Sequence, residues 1–415
     1  MTHRNRVLVL LFLLFAITYL DRVCISVAAP RIQAELNIDP VGWGWVTGMF
    51  TLAYCLFEIP SGMMGDRIGP RRVLTRIVLW WSAFTMFTGA VSNYYLLLLI
   101  RFCFGAGEAG AFPNSSVVVA RWFPATQRAT ISAVTLMAAQ VGGGLAPLLA
   151  IPIQTRFGWR ASFFVFGSLG VVWAVVWYWW FRDSPSEMPG GSDAELQAVE
   201  APMPGKAHRL PWGVALRSRS VLATCVTVAC YAYVFNFFQT WFHTFLVKAR
   251  GFSEGRLWMS AMPFVIAAVS TILGGVLSDY LVRRMGARAG RRALGLASLS
   301  AAGLFTIAAM MTRGQALTVV FLALVYGAIT FQQAGVFGVC LDIGHKYAGA
   351  MGGLLNTAAQ AGGLIGSVLY GYIVKSTGSY EAPFVPMAVA LFLGAALWLQ
   401  IDASEELNQP VSTAP

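Results

Sequence analysis

Charged residues are scarce in this sequence. Asp, Glu, Lys and Arg make up 11% of the 415 residues, whereas a soluble globular domain contains about 25%. Hydrophobic residues reach 57%, and the mean hydropathy is +0.65. This composition excludes an ordinary soluble protein and predicts a polytopic membrane protein.

Cysteine and histidine are also few, with six and four residues. The cysteines all fall within apolar runs or at their ends, and no Cys-x-x-Cys or His-x-x-x-His pattern occurs. Isolated cysteines in apolar runs are typical of small buried hydrophobes. We therefore expect no disulfide framework, no metal site and no cofactor. The apolar runs also lack a nucleophile paired with a base, so the sequence does not favour an enzyme.

Acidic residues number 18 against 29 basic ones, for a net charge of +11. Such an excess would suit a nucleic-acid partner, but most of the Lys and Arg residues fall in alternate loops, on one side of the predicted spans. That distribution follows the positive-inside rule. It predicts an inner (plasma) membrane protein with both termini in the cytoplasm, and it implies no nucleic-acid partner.

Long apolar runs recur along the chain and are separated by short loops. A membrane span needs about 20 apolar residues, and twelve runs approach or exceed this length. The predicted fold class is therefore an all-α membrane protein with twelve transmembrane helices in two pseudo-symmetric six-helix bundles. The runs are 7–29, 43–64, 73–91, 95–119, 129–154, 160–181, 220–247, 257–281, 293–312, 316–340, 349–374 and 382–401.

One long polar connector, residues 182–219, separates the two sets of six. Its Pro, Gly and Ser content is typical of a loop, although 193–200 could form a short amphipathic helix. We expect an N-terminal bundle at 1–181, a cytoplasmic linker at 182–219, a C-terminal bundle at 220–401 and a cytoplasmic tail at 402–415. Aromatic residues near span ends, such as those of 173–180, are expected to face lipid or the interface.

The two sets of spans share sequence patterns. Gly62-x-x-x-Asp66 follows the second span and Gly275-x-x-x-Asp279 the eighth, while Ala138-Ala-Gln140 in span five is repeated by Ala358-Ala-Gln360 in span eleven. Internal repeats of this kind build secondary transporters, which bind substrate near the bilayer midplane.

Span four carries two charges, Arg101 and Glu108. Charged residues inside a span cost several kcal/mol and usually mark functional sites. Seven residues are nearly two helical turns, so the two side chains share one helix face at an axial spacing of about 10 Å. We expect a functional pair that lines a cavity; a structural ion pair is the alternative, but the spacing is long for direct contact. Gly105, Gly107 and Gly110 would let neighbouring helices pack closely.

The pattern Gly62-x-x-x-Asp66-Arg67-x-Gly69-x-Arg71-Arg72 resembles the loop 2–3 signature of the major facilitator superfamily. The resemblance implies that Asp66 pairs with basic groups and a helix end to hold the cytoplasmic side closed, in a gate with Arg67, Arg71, Arg72 and Asp279. Carboxylates are favoured at helix N-termini. The second copy departs from the pattern, because Tyr280 replaces the Arg. A solvated loop is the alternative.

A narrower resemblance covers nearly the whole chain. Tyr19-Leu-Asp21-Arg22, Arg101…Glu108, Arg121-Trp-Phe-Pro124 and Gly158-Trp-Arg160 are similar to the anion:cation symporter family, which includes bacterial sugar-acid transporters. The resemblance implies proton-coupled uptake of an organic anion by a working monomer. Residues matching that family's functional positions are Tyr19, Asp21, Arg22, Tyr54, Arg101, Glu108 and Asn356, with Gln140 as a further match.

Proton-coupled anion transport needs a titratable carboxyl group and a fixed cation. Burial raises and a nearby Arg lowers the pKa of a carboxyl group in general, and Arg remains protonated. We expect Arg22 to grip the substrate carboxylate, Arg101 to tune the site, and Asp21 and Glu108 to carry protons. The phenols and amides suit substrate hydroxyl groups, although each could instead be a satisfied packing contact; they are Tyr19, Tyr54, Gln140, Gln333 and Asn356.

Two other transport functions remain open. A proton-coupled exporter of small molecules would need a cavity carboxylate, but exporters of lipophilic cations would not need the two arginines. A sodium-coupled anion transporter would use the same arginines with a different coupling ion. A receptor is a third class, but the sequence carries no appended signalling domain. The sequence does not identify the anion.

Overall fold

The computed structural model describes residues 2–188, 212–344 and 347–404. Within these ranges the regular structure is entirely helical, which confirms the predicted all-α class. The helix predicted at 193–200, most of the predicted linker 182–219 and most of the predicted tail 402–415 lie outside the described residues.

Seven helices precede the connector. They are α1 His3–Glu35, α2 Pro40–Ile68, α3 Pro70–Gly89, α4 Tyr94–Glu108, α5 Ala111–Trp122, α6 Ala125–Phe157 and α7 Trp159–Trp180, with a 3₁₀ turn at Pro185–Glu187.

The remaining helices follow the connector. They are the short α8 Trp212–Ala215, then α9 Arg219–Thr240, α10 Phe242–Lys248, α11 Met262–Met311, α12 Gln315–Phe331, α13 Gln333–Gly344, α14 Ala348–Thr377 and α15 Phe384–Leu397, with 3₁₀ segments at Glu254–Ala261 and Trp398–Gln400.

Each of the twelve predicted runs falls on a helix or on a pair of helices, but the helices are less regular than the runs suggested. Runs four, seven and ten are each divided into two helices. Runs eight and nine instead share α11, which bends sharply at Gly286 (φ 81°, ψ 164°). Glycine alone tolerates that backbone conformation without strain.

Seven segments of the described chain are long and apolar enough to cross a membrane. Their outward faces carry aliphatic side chains, for example Val172 on α7 and Val276 on α11, each more than 60% exposed. Exposed apolar surface of this kind would be unfavourable in water and suits contact with lipid.

The chain divides into two compact units. The first contains residues 1–203, 239–265 and 367–380, and the second contains 204–238, 266–366 and 381–415. The predicted bundle boundaries stay a prediction.

In the first unit, α1 packs against α6 and α7, α3 packs against α7 and α4, and α2 packs against α4 and α5. Its core includes Trp173, Trp177 and Phe181, whose rings stack successively at 5.0 and 3.8 Å. The prediction that this aromatic segment faces lipid is wrong for Trp173 and Trp177, which are buried. Residues four apart share one helix face, and here that face points into the unit.

Small residues bring helices together in the second unit. A Cβ atom added to Gly274 would collide with the Phe331 backbone, and one added to Gly362 would collide with the backbone of Ala229. Near one end of this unit, Arg291 forms an ion pair with Asp342 at 2.7 Å. These contacts pack α11 against α12 and α13, and α14 against α9.

Candidate functional site

The first unit contains a helix that breaks within the membrane-spanning segment Tyr94–Trp122. Helix α4 ends at Glu108, and α5 begins at Ala111. Between them Gly110 adopts the left-handed conformation (φ 91°, ψ −3°), and a Cβ atom there would collide with the Ser61 side chain. Glycine is required for both reasons. The break places the Glu108 carboxylate at the end of α4.

Glu108 forms an ion pair with Arg22 of α1. Its Oε1 accepts a hydrogen bond from Nε of the guanidinium group and makes a salt-bridge contact with Nη2. The Glu108 side chain is 1% exposed and that of Arg22 is 18% exposed. Oε2 of Glu108 has no hydrogen-bond partner in the part of the chain that the structure describes. The predicted functional charges therefore meet across two helices, and not along α4.

Three aromatic rings surround the Arg22 guanidinium. The distances from its Cζ to the ring centroids are 5.2 Å for Tyr19, 5.1 Å for Phe50 and 4.8 Å for Tyr54. Each is within the range of an attractive cation–π contact. The two predicted phenols thus lie beside the predicted substrate cation. Phe50 could not be identified from the sequence, because a phenylalanine in an apolar run gives no distinguishing signal.

Arg101 is buried a short distance away on α4, at 4% exposure. Its Cζ lies 5.1 Å from the Phe50 centroid and 4.6 Å from the Phe104 centroid. Its Nε has no hydrogen-bond acceptor among the described residues. The same Phe50 ring therefore contacts both guanidinium groups.

Asp21 is buried at 2% exposure on α1. Neither of its carboxylate oxygens has a hydrogen-bond partner among the residues described. The carboxyl group lies beside the Trp81 indole and the Thr85 hydroxyl of α3, and it is within electrostatic range of Glu108 and Arg101. A buried carboxylate without such a partner is costly to keep ionised.

The three predicted amides are distributed over both units. Gln140 lies on α6 of the first unit, where its side chain is buried and Oε1 has no partner within the described ranges. Gln333 begins α13 and Asn356 lies on α14; both are half-buried and belong to the second unit. Their proposed contact with the substrate stays a prediction.

The predicted gate residues lie near the α2–α3 turn and on α11. Arg67, Arg72 and Asp279 are exposed. The side chain of Asp66 lies outside the described residues. Arg71 donates a hydrogen bond from its guanidinium Nη2 to the Tyr178 carbonyl at 2.6 Å.

Asp183, which lies in the connector predicted to be a loop, caps the start of α3. Its Oδ1 accepts a hydrogen bond from the Arg71 backbone N–H at 2.8 Å. The exposed N–H groups at a helix start favour a carboxylate. The Gly69-Pro70 helix start could have indicated that a cap was needed, but not which carboxylate would supply it.

At the opposite ends of these helices, polar contacts tie the first unit together. Asp39 accepts a hydrogen bond from Lys375 Nζ at 2.7 Å and from the Gly42 N–H at 2.7 Å. These two contacts lower the pKa of the Asp39 carboxyl group. Glu35 accepts hydrogen bonds from the Trp159 indole and the Arg160 guanidinium, both at 2.6 Å.

Among the described residues, no three His, Cys, Asp or Glu side chains come close enough to hold a metal ion. The chemistry of the first unit therefore consists of two arginines, two carboxyl groups and aromatic rings that are largely shielded from water.

Comparison with known proteins places this arrangement in a family. The profile of the Major Facilitator Superfamily matches residues 11–363. The "Probable sulfoacetate transporter SauU" of Cupriavidus necator is 32% identical over 98% of this chain and 96% of that protein. The hexuronate transporter of Bacillus subtilis is 31% identical over the same shares.

The fold is also similar to that of a solved structure. A bacterial homologue of the human lysosomal transporter Spinster superposes with a TM-score of 0.78 over 97% of both chains, at 21% sequence identity. The chain therefore belongs to the Major Facilitator Superfamily and is a multi-pass membrane transporter, not an enzyme.

Proposed function

We propose that this transporter couples proton movement to the uptake of a small organic-acid anion, such as a sugar acid or a related carboxylate. Relatives named for sulfoacetate, hexuronate and galactarate/D-glucarate support an acidic substrate. The working unit would be a monomer in the plasma membrane, with both termini in the cytoplasm.

The Arg22–Glu108 ion pair is the observation that carries the proposal. Arg22 is the more exposed partner, so it is the one that an anion can reach. While Glu108 is ionised, its carboxylate occupies the guanidinium group. A proton on Glu108 frees Arg22 for a substrate carboxylate, which can bind a guanidinium through two parallel hydrogen bonds. Proton binding and anion binding then favour each other, and this linkage is reciprocal.

The other charges have supporting roles in the proposal. Arg101 has its guanidinium in contact with two aromatic rings, so it contributes a fixed positive field that attracts the anion. Asp21 is a second proton site, because protonation removes the cost of an unpaired buried carboxylate. Tyr19 and Tyr54 border Arg22, where their hydroxyl groups can orient substrate.

The polar residues outside this cluster complete the proposal. Gln140, Gln333 and Asn356 would hydrogen-bond substrate hydroxyl groups. The gate would involve Asp66 and Asp279 with the basic residues Arg67, Arg71 and Arg72. In that mechanism the halves 1–181 and 220–401 would alternate access to the substrate.

The decisive experiment replaces Glu108 with Gln. Reconstituted into proteoliposomes, Glu108→Gln should still exchange labelled anion across the membrane, because Arg22 remains available. It should no longer accumulate the anion under an inward proton gradient, because residue 108 cannot release a proton. Glu35→Gln is the matched control, since Glu35 lies at an exposed helix end and should accumulate normally.

The same vesicles distinguish the alternatives. Proton-driven accumulation that is intact in Glu108→Gln would refute the assigned role of Glu108. Accumulation that follows an imposed sodium gradient at fixed pH would replace the proton with sodium as coupling ion. Proton-driven efflux of a substrate, without uptake of any organic anion, would favour an exporter.

A further inference from the structure

Phe50 has an unusual position between the two arginines. Its ring centroid lies 5.1 Å from the Cζ of Arg22 and 5.1 Å from the Cζ of Arg101. Significant cation–π contacts occur only about once per 70–80 residues in protein structures. One ring that contacts two cations, one of them buried, is therefore a specific arrangement and not ordinary apolar packing.

The backbone beneath this ring is held firmly. A Cβ atom added to Gly105 of α4 would collide with the Phe50 carbonyl oxygen, so α2 and α4 are in close backbone contact at this point. The ring itself packs against Phe104 at 5.4 Å and against Tyr54 at 5.9 Å. Phe50 cannot follow a moving arginine unless its helix moves as well.

Protonation of Glu108 changes the interactions that keep the Arg22 guanidinium group in place. The guanidinium group then loses its ion-pair partner, while Arg101 remains positively charged within about 10 Å and repels it. Among the described residues, the contacts that then remain to Arg22 are the three aromatic rings. Tyr19 and Tyr54 carry hydroxyl groups that can hydrogen-bond to other groups, whereas Phe50 can interact with Arg22 only through the face of its ring.

We propose that Phe50 is a positioning residue that keeps Arg22 in its binding position after Glu108 has taken up a proton. The ring also fixes the separation of the two guanidinium groups, and the incoming anion meets a preformed pair of cations. This inference rests on the proposed function, because it assigns a role in the proton-bound state of that site.

The test reduces the negative charge on the face of the ring and leaves the size of the ring nearly unchanged. Phenylalanine with one, two and three ring fluorines can be incorporated at position 50, because fluorine withdraws charge from the ring face. The KM for proton-driven uptake of labelled sulfoacetate, hexuronate or galactarate, whichever the wild type accumulates, should rise stepwise, by about 2- to 30-fold across the series, while kcat changes little. Phe50→Tyr should behave like the wild type, and Phe50→Leu should resemble the trifluorinated protein.

Phe163 provides the matched control. It is a buried core residue with 1% exposure, and its ring packs edge-on against Trp159. In the part of the chain that the structure describes, no guanidinium lies over its ring. The same fluorinated series at position 163 should leave KM unchanged. A KM that stays constant across the fluorinated series at position 50, or that rises equally at positions 50 and 163, would overturn the role of Phe50.

A second measurement does not depend on transport. The melting temperature of the detergent-solubilised fluorinated proteins should fall more in a Glu108→Gln background than with Glu108 present, because the ring carries more of the restraint on Arg22 when residue 108 is uncharged. An equal decrease in both backgrounds would refute the positioning role. Wild-type protein that takes up no organic anion would instead refute the proposed function, and the melting series would still decide the role of Phe50.

Discussion

Replacement of Arg22 by Gln tests the energetics of the buried ion pair. Removal of one partner of such a pair costs about 3–5 kcal/mol, because the other charge is left buried and unpaired. In Arg22→Gln, the Glu108 carboxylate is the charge left buried and unpaired, because only 1% of its side chain is exposed. The Arg22 side chain is 18% exposed in the wild type, so the pair is only partly removed from water. We therefore expect a loss near the lower limit, about 3 kcal/mol at pH 8.

The pH dependence of this loss has a definite sign. In Arg22→Gln, an ionised Glu108 is the source of the cost, and a protonated Glu108 needs no cation. The destabilisation should therefore shrink as the pH falls from 8 to 5. The double variant Arg22→Gln/Glu108→Gln carries neither charge, so it should be more stable at pH 8 than the single variant, by about 2 kcal/mol.

Thermal unfolding of the detergent-solubilised protein, followed by tryptophan fluorescence, measures these differences. Arg160→Gln is the control, because its ion pair with Glu35 is 37% and 47% exposed and should contribute less than about 1 kcal/mol. The reasoning fails if Arg22→Gln is equally destabilised at both pH values, or if the effects of the two substitutions simply add.

Two further substitutions probe the framework of the site. Asp183→Ala removes the acceptor for the Arg71 N–H and should cost about 0.5–2 kcal/mol; Asp183→Asn should retain most of that stability, and equal losses in the melting temperature would argue against capping. Gly105→Ala forces a Cβ atom against the Phe50 carbonyl and should cost about 1–3 kcal/mol. Gly353→Ala, where nothing lies within 4 Å, should be neutral or stabilising in the same melting assay.

The helical spans could be predicted because bilayer thickness fixes the length of an apolar segment. Each predicted run has a helical counterpart, including 95–119. The break inside that run could not be predicted. Its glycines were interpreted as packing positions, and Gly105 does pack against α2. Of the three glycines in that run, only Gly110 adopts a positive φ. A Cβ atom there would also collide with Ser61, which is 49 positions earlier in the sequence and adjacent only after folding.

The sequence indicated which charged residues would cluster better than it indicated which of them would pair. The cost of placing charges in an apolar run singled out Arg101 and Glu108, and the family resemblance added Asp21 and Arg22. Helical spacing relates Arg101 to Glu108 within α4, but it cannot identify a partner on another helix. Phe50 could not be identified from the sequence, because its proposed role depends on which cations its ring contacts and not on its residue type.

The sequence by itself determined that this chain resides in a membrane, where its spans fall and which few charges they bury. Transfer free energies of neighbouring residues add along the chain, so a local window of sequence is sufficient for these conclusions. The tertiary structure alone decided that Glu108 pairs with Arg22, that Asp21 is left without a described partner, and that one ring serves both arginines. These contacts join residues on different helices, and their distances depend on how α1, α2 and α4 pack.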